Sequence, residues 1–175
     1  MRITVSGHIG SGKTTVSLIL SKLTSFKVYS GGYFFRKMSE DMDISLEEMN
    51  IMAEKDSKLD VTLNNLIEEF LKNNDNVIVE SRLAGWIAQS SNIPAFKVFL
   101  DASREVRINR VSIREHDKEI AQRVVLREES ENFRFREYFQ FFMDDKSIYD
   151  VVMNTELGSA DEIANEIYKL AFSNA

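Results

Sequence analysis

Gly7-His8-Ile9-Gly10-Ser11-Gly12-Lys13-Thr14 fits the pattern G-x-x-x-x-G-K-[ST] without a gap, and Thr15 follows it. Gly7, Gly10 and Gly12 let the backbone turn tightly and bring its N–H groups against phosphate oxygens. Lys13 supplies a point charge for the outer phosphates, and the Thr14 hydroxyl can bind Mg²⁺. Arg2-Ile3-Thr4-Val5-Ser6 before the loop reads as a strand, and Val16, Ile19, Leu20 and Leu23 after it recur at helical spacing. The loop therefore opens a helix whose free N–H groups and dipole favour an anion. The chemistry is that of a nucleoside triphosphate with Mg²⁺, held by residues 7–15. The loop alone does not fix the reaction.

Other reactive side chains stand where strands end. Glu80 closes the apolar run Val77-Ile78-Val79, and Asp101 closes Phe96-Lys97-Val98-Phe99-Leu100. Either carboxylate can support Mg²⁺, with Glu80 the first choice. Eight of the eleven arginines fall between Arg104 and Arg136. A planar guanidinium binds phosphate oxygens in pairs and stays charged, so this clustering points to a polyanion site. The competing reading is a solvated face paired with the interleaved glutamates. Arg104, Arg107, Arg110 and Arg114 are spaced to share one helix face. His8 and His116 read as incidental, because phosphoryl transfer needs no histidine base.

These groups need a scaffold. Strands are expected over 2–6, 26–30, 77–80, 96–100 and 151–153, separated by helical patterns. Gly31-Gly32 breaks the chain before a helix over 33–42. Ser45 with Glu48 and Ser159 with Glu162 are capping boxes. The stretch 116–145 is charged and aromatic without a clear core pattern. Short apolar strands alternating with helices predict an α/β fold, a five-stranded parallel sheet with helices on both faces. Ligands then sit beyond the carboxyl ends of the strands. The strand ends bring together the loop, Gly31-Gly32 with Arg36, Glu80 with Arg82 and Gly85, Asp101, and Asn154-Thr155. That convergence reads as phosphoryl transfer, with 116–145 as a water-excluding lid.

The chain has 175 residues, with hydrophobic residues at 43% and charged ones at 29%, enough for one domain with a sizeable core. A net charge of −6 argues against a general nucleic-acid coat. Without cysteine there is no disulfide or Cys-ligated metal. No apolar run approaches membrane-spanning length and no signal-peptide pattern precedes the first strand, so a cytoplasmic enzyme is expected. The guanine-binding pattern N-K-x-D is absent, which disfavours a nucleotide-switch protein.

Several segments together resemble a nucleoside monophosphate kinase of P-loop NTPase fold, and within it the archaeal type of cytidylate kinase. They are the loop itself; Ser30-Gly31-Gly32-Tyr33-Phe34-Phe35-Arg36; Ser45-Leu46-Glu47-Glu48-Met49; Leu83-Ala84-Gly85-Trp86-Ile87; Phe99-Leu100-Asp101-Ala102; Arg127-Glu128-Glu129-Ser130-Glu131; and Ser147-Ile148-Tyr149-Asp150 with Asn154-Thr155. The resemblance implies one kinase domain over 1–175, with an acceptor-binding segment around 31–72 and a lid around 116–142. It implies ATP and Mg²⁺ as cofactors and transfer to CMP or dCMP, giving CDP or dCDP, by a monomer with no nucleic-acid or membrane partner. Among this chain's residues, Lys13, Arg114, Arg127 and Arg134 would act on the transferring phosphoryl group. Arg110, Asn154 and Thr155 would join residues 7–15 in holding ATP. Ser30, Gly32, Arg36, Asp60, Arg82 and Gly85 would bind the acceptor, and Thr14 and Glu80 would hold the metal. Asp60, Arg82 and the Trp86 region stay open as readers of the base. The sequence departs from the family's usual pattern at Gly31 and at Glu80-Ser81. AMP, UMP or a small non-nucleotide alcohol is the alternative acceptor on the same fold.

Overall fold

The computed structural model describes residues 1–55, 58–116 and 120–173. Strand β1 (Arg2–Gly7) runs through the glycine loop into α1 (Lys13–Thr24), and β2 (Lys27–Ser30) follows. Helix α2 (Gly31–Asp41) starts at Gly31, not at Tyr33, because the Ser30 Oγ accepts the Tyr33 N–H at 3.0 Å and caps it. The helical pattern of 46–71 divides into α3 (Leu46–Lys55) and α4 (Lys58–Asn73). Met38, Met49 and Leu59 fill the small core between α2, α3 and α4. Then come β3 (Val77–Glu80), α5 (Ala84–Ser90), β4 (Phe96–Asp101), α6 (Arg104–Glu115), α7 (Ile120–Phe139), β5 (Val151–Asn154) and α8 (Ala160–Phe172). Ser159 and Glu162 form the capping box that starts α8.

The five-stranded sheet has the order β2-β3-β1-β4-β5, and every pairing is parallel. Alternation along the strands divides the core. Ile3, Val5, Ile78, Val98 and Leu100 face α1 and α8, meeting Val16, Leu20, Ile163, Ala164 and Ile167. Val77, Val79 and Phe99 face the other way, toward Phe34 of α2, Ile67 and Leu71 of α4, Ile87 of α5 and Phe135 of α7. Both faces are covered, which is why β3 runs Val77-Ile78-Val79 without a polar break. The register aligns Val5 with Glu80, Glu80 with Ser30, and Asp101 with Asn154, so the carboxyl ends meet at one edge.

Two expectations change. The lid stretch is not patternless: α7 buries Ile120, Val124, Glu128, Glu131 and Phe135, one stripe at helical spacing. Two positions of that stripe are glutamates, which hides it from a hydrophobicity count. Residues 117–119 of the expected lid and 56–57 of the acceptor segment lie outside the described residues. Gly85 is a packing residue instead of part of a substrate wall. Its N–H donates to the buried Ser6 Oγ at 2.9 Å, and a methyl added there would lie 2.3 Å from Cε1 of Tyr149. Gly85→Ala is therefore expected to cost about 1–3 kcal/mol by overpacking. Thermal unfolding is the check: the midpoint should fall by several degrees, and an unchanged midpoint would show that the Tyr149 ring yields freely.

Among the described residues no helix is long and apolar enough to cross a membrane.

Candidate active site

A cleft of about 1470 Å³ opens at the carboxyl edge of the sheet. The glycine loop and the start of α1 form its floor. The loop is pressed against α6: a methyl added at Gly10 would meet the Arg107 carbonyl oxygen at 2.4 Å, and Gly10 has φ +77°, so only glycine fits. Gly12 gives α1 no side-chain cap, which leaves its first N–H groups for a ligand. Lys13 Nζ donates to the carbonyls of Gly7 (3.0 Å) and His8 (2.8 Å). Burial, followed by the nearby Arg82 charge, pushes the Lys13 ammonium down to about 8.

Thr14 Oγ1 donates to Glu80 Oε1 at 3.0 Å. Burial pushes the Glu80 carboxyl up, with Lys13 and the Thr14 hydrogen bond opposing. A hydroxyl and a carboxylate side by side at the phosphate floor suit Mg²⁺, which keeps most of its shell as water and phosphate oxygen. Among the described residues no group of three or more His, Cys, Asp or Glu is placed to hold a metal. Asp101, the second choice for this role, is instead ion-paired with Lys146.

Helix α7 ties the walls together. Glu128 pairs with Arg107, and both are buried at 4% and 5% exposure. Arg107 also donates to the carbonyls of Ile9 (2.9 Å) and Ala102 (3.1 Å), so this pair anchors the glycine loop. Glu131 pairs with Arg82 from the loop after β3, and its Oε1 accepts from Arg127 Nε at 3.0 Å. Arg134 reaches across to Asp60 of α4, and its Nη1 donates to Ser130 Oγ at 2.7 Å. The arginines Arg82, Arg127 and Arg134 thus gather on one side of the cleft, beside Lys13 and Thr14.

At the opposite end Arg110 donates to the Thr155 hydroxyl (2.9 Å) and carbonyl (2.8 Å). The same hydroxyl lies 3.1 Å from the Asp101 carbonyl and 3.2 Å from that of Ser11, so Thr155 braces the glycine loop from β5. Arg114 and Gly32 also line the cleft. Asn154 is exposed and turns its Oδ1 to the Glu156 N–H at 2.9 Å. Ser30 caps α2 as described. Arg36 stands on the exposed side of α2 in a small recess with Tyr33, Lys37, Glu40 and Asp41, although its Nη1 lies beside Gly32 at the cleft rim. His8 packs edge-on against Phe99, and burial, then Arg107, lowers its imidazole below the usual range. The sequence presents Arg107 only as one of four arginines on a helix face and Glu128, Glu131 and Phe35 only within longer segments, and it does not single out Asn64. The available signal was the helical spacing of Glu128 and Glu131 from Val124 to Phe135.

Above pH 8 the empty protein holds Lys13 largely neutral, whereas phosphate oxygens favour the charged form. Nucleotide binding at pH 9 is therefore expected to take up a proton, and affinity should weaken as pH rises through 8. Calorimetry in buffers of different ionisation enthalpy measures this; zero proton uptake at pH 9 would show that Lys13 stays charged in the empty cleft.

Comparison with known proteins follows the same direction. The profile of the cytidylate kinase-like family matches residues 2–157. A cytidylate kinase of Thermoplasma volcanium is 45% identical over 166 residues, covering 94% of this chain and 87% of its own length. One from Thermoplasma acidophilum is 43% identical, with 94% and 88% covered. Among solved structures, the shikimate kinase of Bacteroides thetaiotaomicron superposes with a TM-score of 0.69, covering 99% of this chain and 98% of that one at 15% identity, a likeness of fold. A glycine loop in its strand–helix setting, a cluster of arginines in the same cleft, and a match along nearly the whole chain agree, and the chain belongs to the cytidylate kinase-like family.

Proposed function

We propose that the protein transfers the γ-phosphoryl group of ATP to the phosphate of CMP or dCMP, yielding ADP and CDP or dCDP. The observation that carries this reading is one cleft lined by two sets of phosphate-binding groups: Lys13 and Thr14 on the floor, and the cluster Arg82, Arg127 and Arg134 beside them. Two phosphate sites in one cleft suit in-line transfer between two nucleotides, and relatives matched over 94% of the chain are named cytidylate kinases.

In this reading the glycine loop and Lys13 hold the β- and γ-phosphates, with Arg110 and Thr155 bounding the donor end. Arg82, with Arg36 at the rim, holds the acceptor phosphate. An acceptor oxygen attacks the γ-phosphorus, and the bond to the β–γ bridging oxygen breaks to release ADP. Thr14 and Glu80 would hold Mg²⁺, which neutralises phosphate charge when bound. Arg114, Arg127 and Arg134 stabilise charge on the moving phosphoryl group. The segment around 31–72 seats the acceptor. That around 116–142 closes over the site and keeps out water that would otherwise accept the phosphoryl group. The protein works on small molecules as a cytoplasmic monomer.

ADP release from ATP·Mg²⁺ with CMP, dCMP, UMP, AMP and GMP offered separately tests the acceptor. Preference for CMP and dCMP is expected; preference for AMP, or activity with none of them, overturns it. Arg36→Ala should raise KM for the monophosphate about tenfold while KM for ATP stays within about twofold, since the loss falls on one substrate. Equal effects on both would remove Arg36 from the acceptor side.

A further inference from the structure

Asn64 is a polar side chain of the cleft that the phosphate contacts above do not use. It follows Asp60 by one helical turn on α4, so the two share a face. Its residue is 9% exposed, and among the described residues its Nδ2 is buried without a hydrogen-bond partner. Buried amide groups are nearly always paired, so an orphaned donor in a ligand cleft points to a partner that the ligand brings. Asp60 is prepared in a complementary way. Arg134 of α7 engages its Oδ2, which fixes the carboxylate and leaves Oδ1 as the oxygen able to accept from a ligand. Phe35, Leu63 and Ile67 line the same part of the cleft and would give a flat ring an apolar wall.

We infer that Asp60 and Asn64 together read the edge of the acceptor base: Asp60 Oδ1 accepts from an exocyclic amine, and Asn64 Nδ2 donates to the adjacent unprotonated ring nitrogen. Cytosine presents that pair, an N4 amine beside the N3 lone pair. Uracil reverses both positions, setting its O4 against the carboxylate and its N3–H against the amide N–H. Two mismatched groups in a buried site discriminate far more strongly than a change of shape. Adenine carries the same donor–acceptor pair, so Asp60 and Asn64 separate amino from oxo bases and leave ring size to the walls. The inference rests on the kinase reading above and extends it to a residue that the sequence did not single out.

The test is initial rates with CMP and UMP at saturating ATP·Mg²⁺ for wild type and Asn64→Ala. The ratio of kcat/KM for CMP over UMP should fall by about tenfold or more in the variant, with KM for ATP unchanged. A purely structural role would lower both acceptors together and leave the ratio alone. Wild-type protein also provides a check that needs no substitution: 3-deaza-CMP, in which a C–H replaces N3, should show kcat/KM lower than CMP by about tenfold. An unchanged ratio, or 3-deaza-CMP turned over as well as CMP, overturns the inference while wild-type CMP activity keeps the kinase reading. Wild type inactive with both CMP and UMP overturns the two together.

Discussion

Lys13→Ala should reduce turnover about a thousandfold or more, the scale of losing a charge that acts on a developing transition state, while thermal unfolding stays at or above the wild-type midpoint. The two halves of this expectation come from one observation. In the empty cleft Lys13 is buried and donates to the carbonyls of Gly7 and His8, and burial has already pushed its ammonium down to about 8, with Glu80 and Glu128 opposing. Its charge is thus a burden on the folded protein that a ligand relieves. Alanine removes the burden along with the phosphate contact. A fall in midpoint of several degrees would show that Lys13 holds the loop together. Near-wild-type turnover would remove it from the reaction.

Arg107→Ala should destabilise the fold by about 3–5 kcal/mol, because it leaves the Glu128 carboxylate buried and uncompensated. It also strips donors from the carbonyls of Ile9 and Ala102. At this chain length a loss of that size lowers the unfolding midpoint by roughly 10 °C or more. The glycine loop rests on the α6 backbone at Gly10, so nucleotide affinity should fall as well. Replacing both members, Arg107→Met with Glu128→Leu, should recover much of the stability, since neither change leaves a buried charge. Nucleotide affinity should recover less, because the bond to Ile9 is still missing. Equal midpoints for Arg107→Ala and wild type would mean that water reaches Glu128.

These two residues also mark where the sequence is legible. Lys13 belongs to a contiguous motif with a strand before it and an amphipathic helix after it, so its role and position follow from local pattern. The parallel sheet is equally plain, because strands such as Val77-Ile78-Val79 are apolar on both faces and leave no other place to go. Arg107 looks like one of four arginines on a charged helix, yet Arg104 and Arg114 are exposed while Arg107 is buried. Nothing local separates them; the difference arises from Glu128, twenty-one residues later. The same long-range pairing hides α7, whose buried stripe contains Glu128 and Glu131. Gly85 misleads in the opposite direction: it follows Arg82 near a strand end, where a ligand would be expected, and the ring of Tyr149 occupies the space. Asn64 carries no sequence signal because its distinguishing feature is a missing partner, visible only once the walls are assembled.

The most direct measurement is the fate of the ATP γ-phosphate, labelled and followed with Mg²⁺ and CMP in wild-type protein and in Lys13→Ala. Label appearing as the β-phosphate of CDP with little inorganic phosphate, and about a thousandfold or more slower in the variant, is the expected result. Label released to water at the same rate with and without CMP would contradict transfer within the shared cleft and leave a triphosphatase in its place.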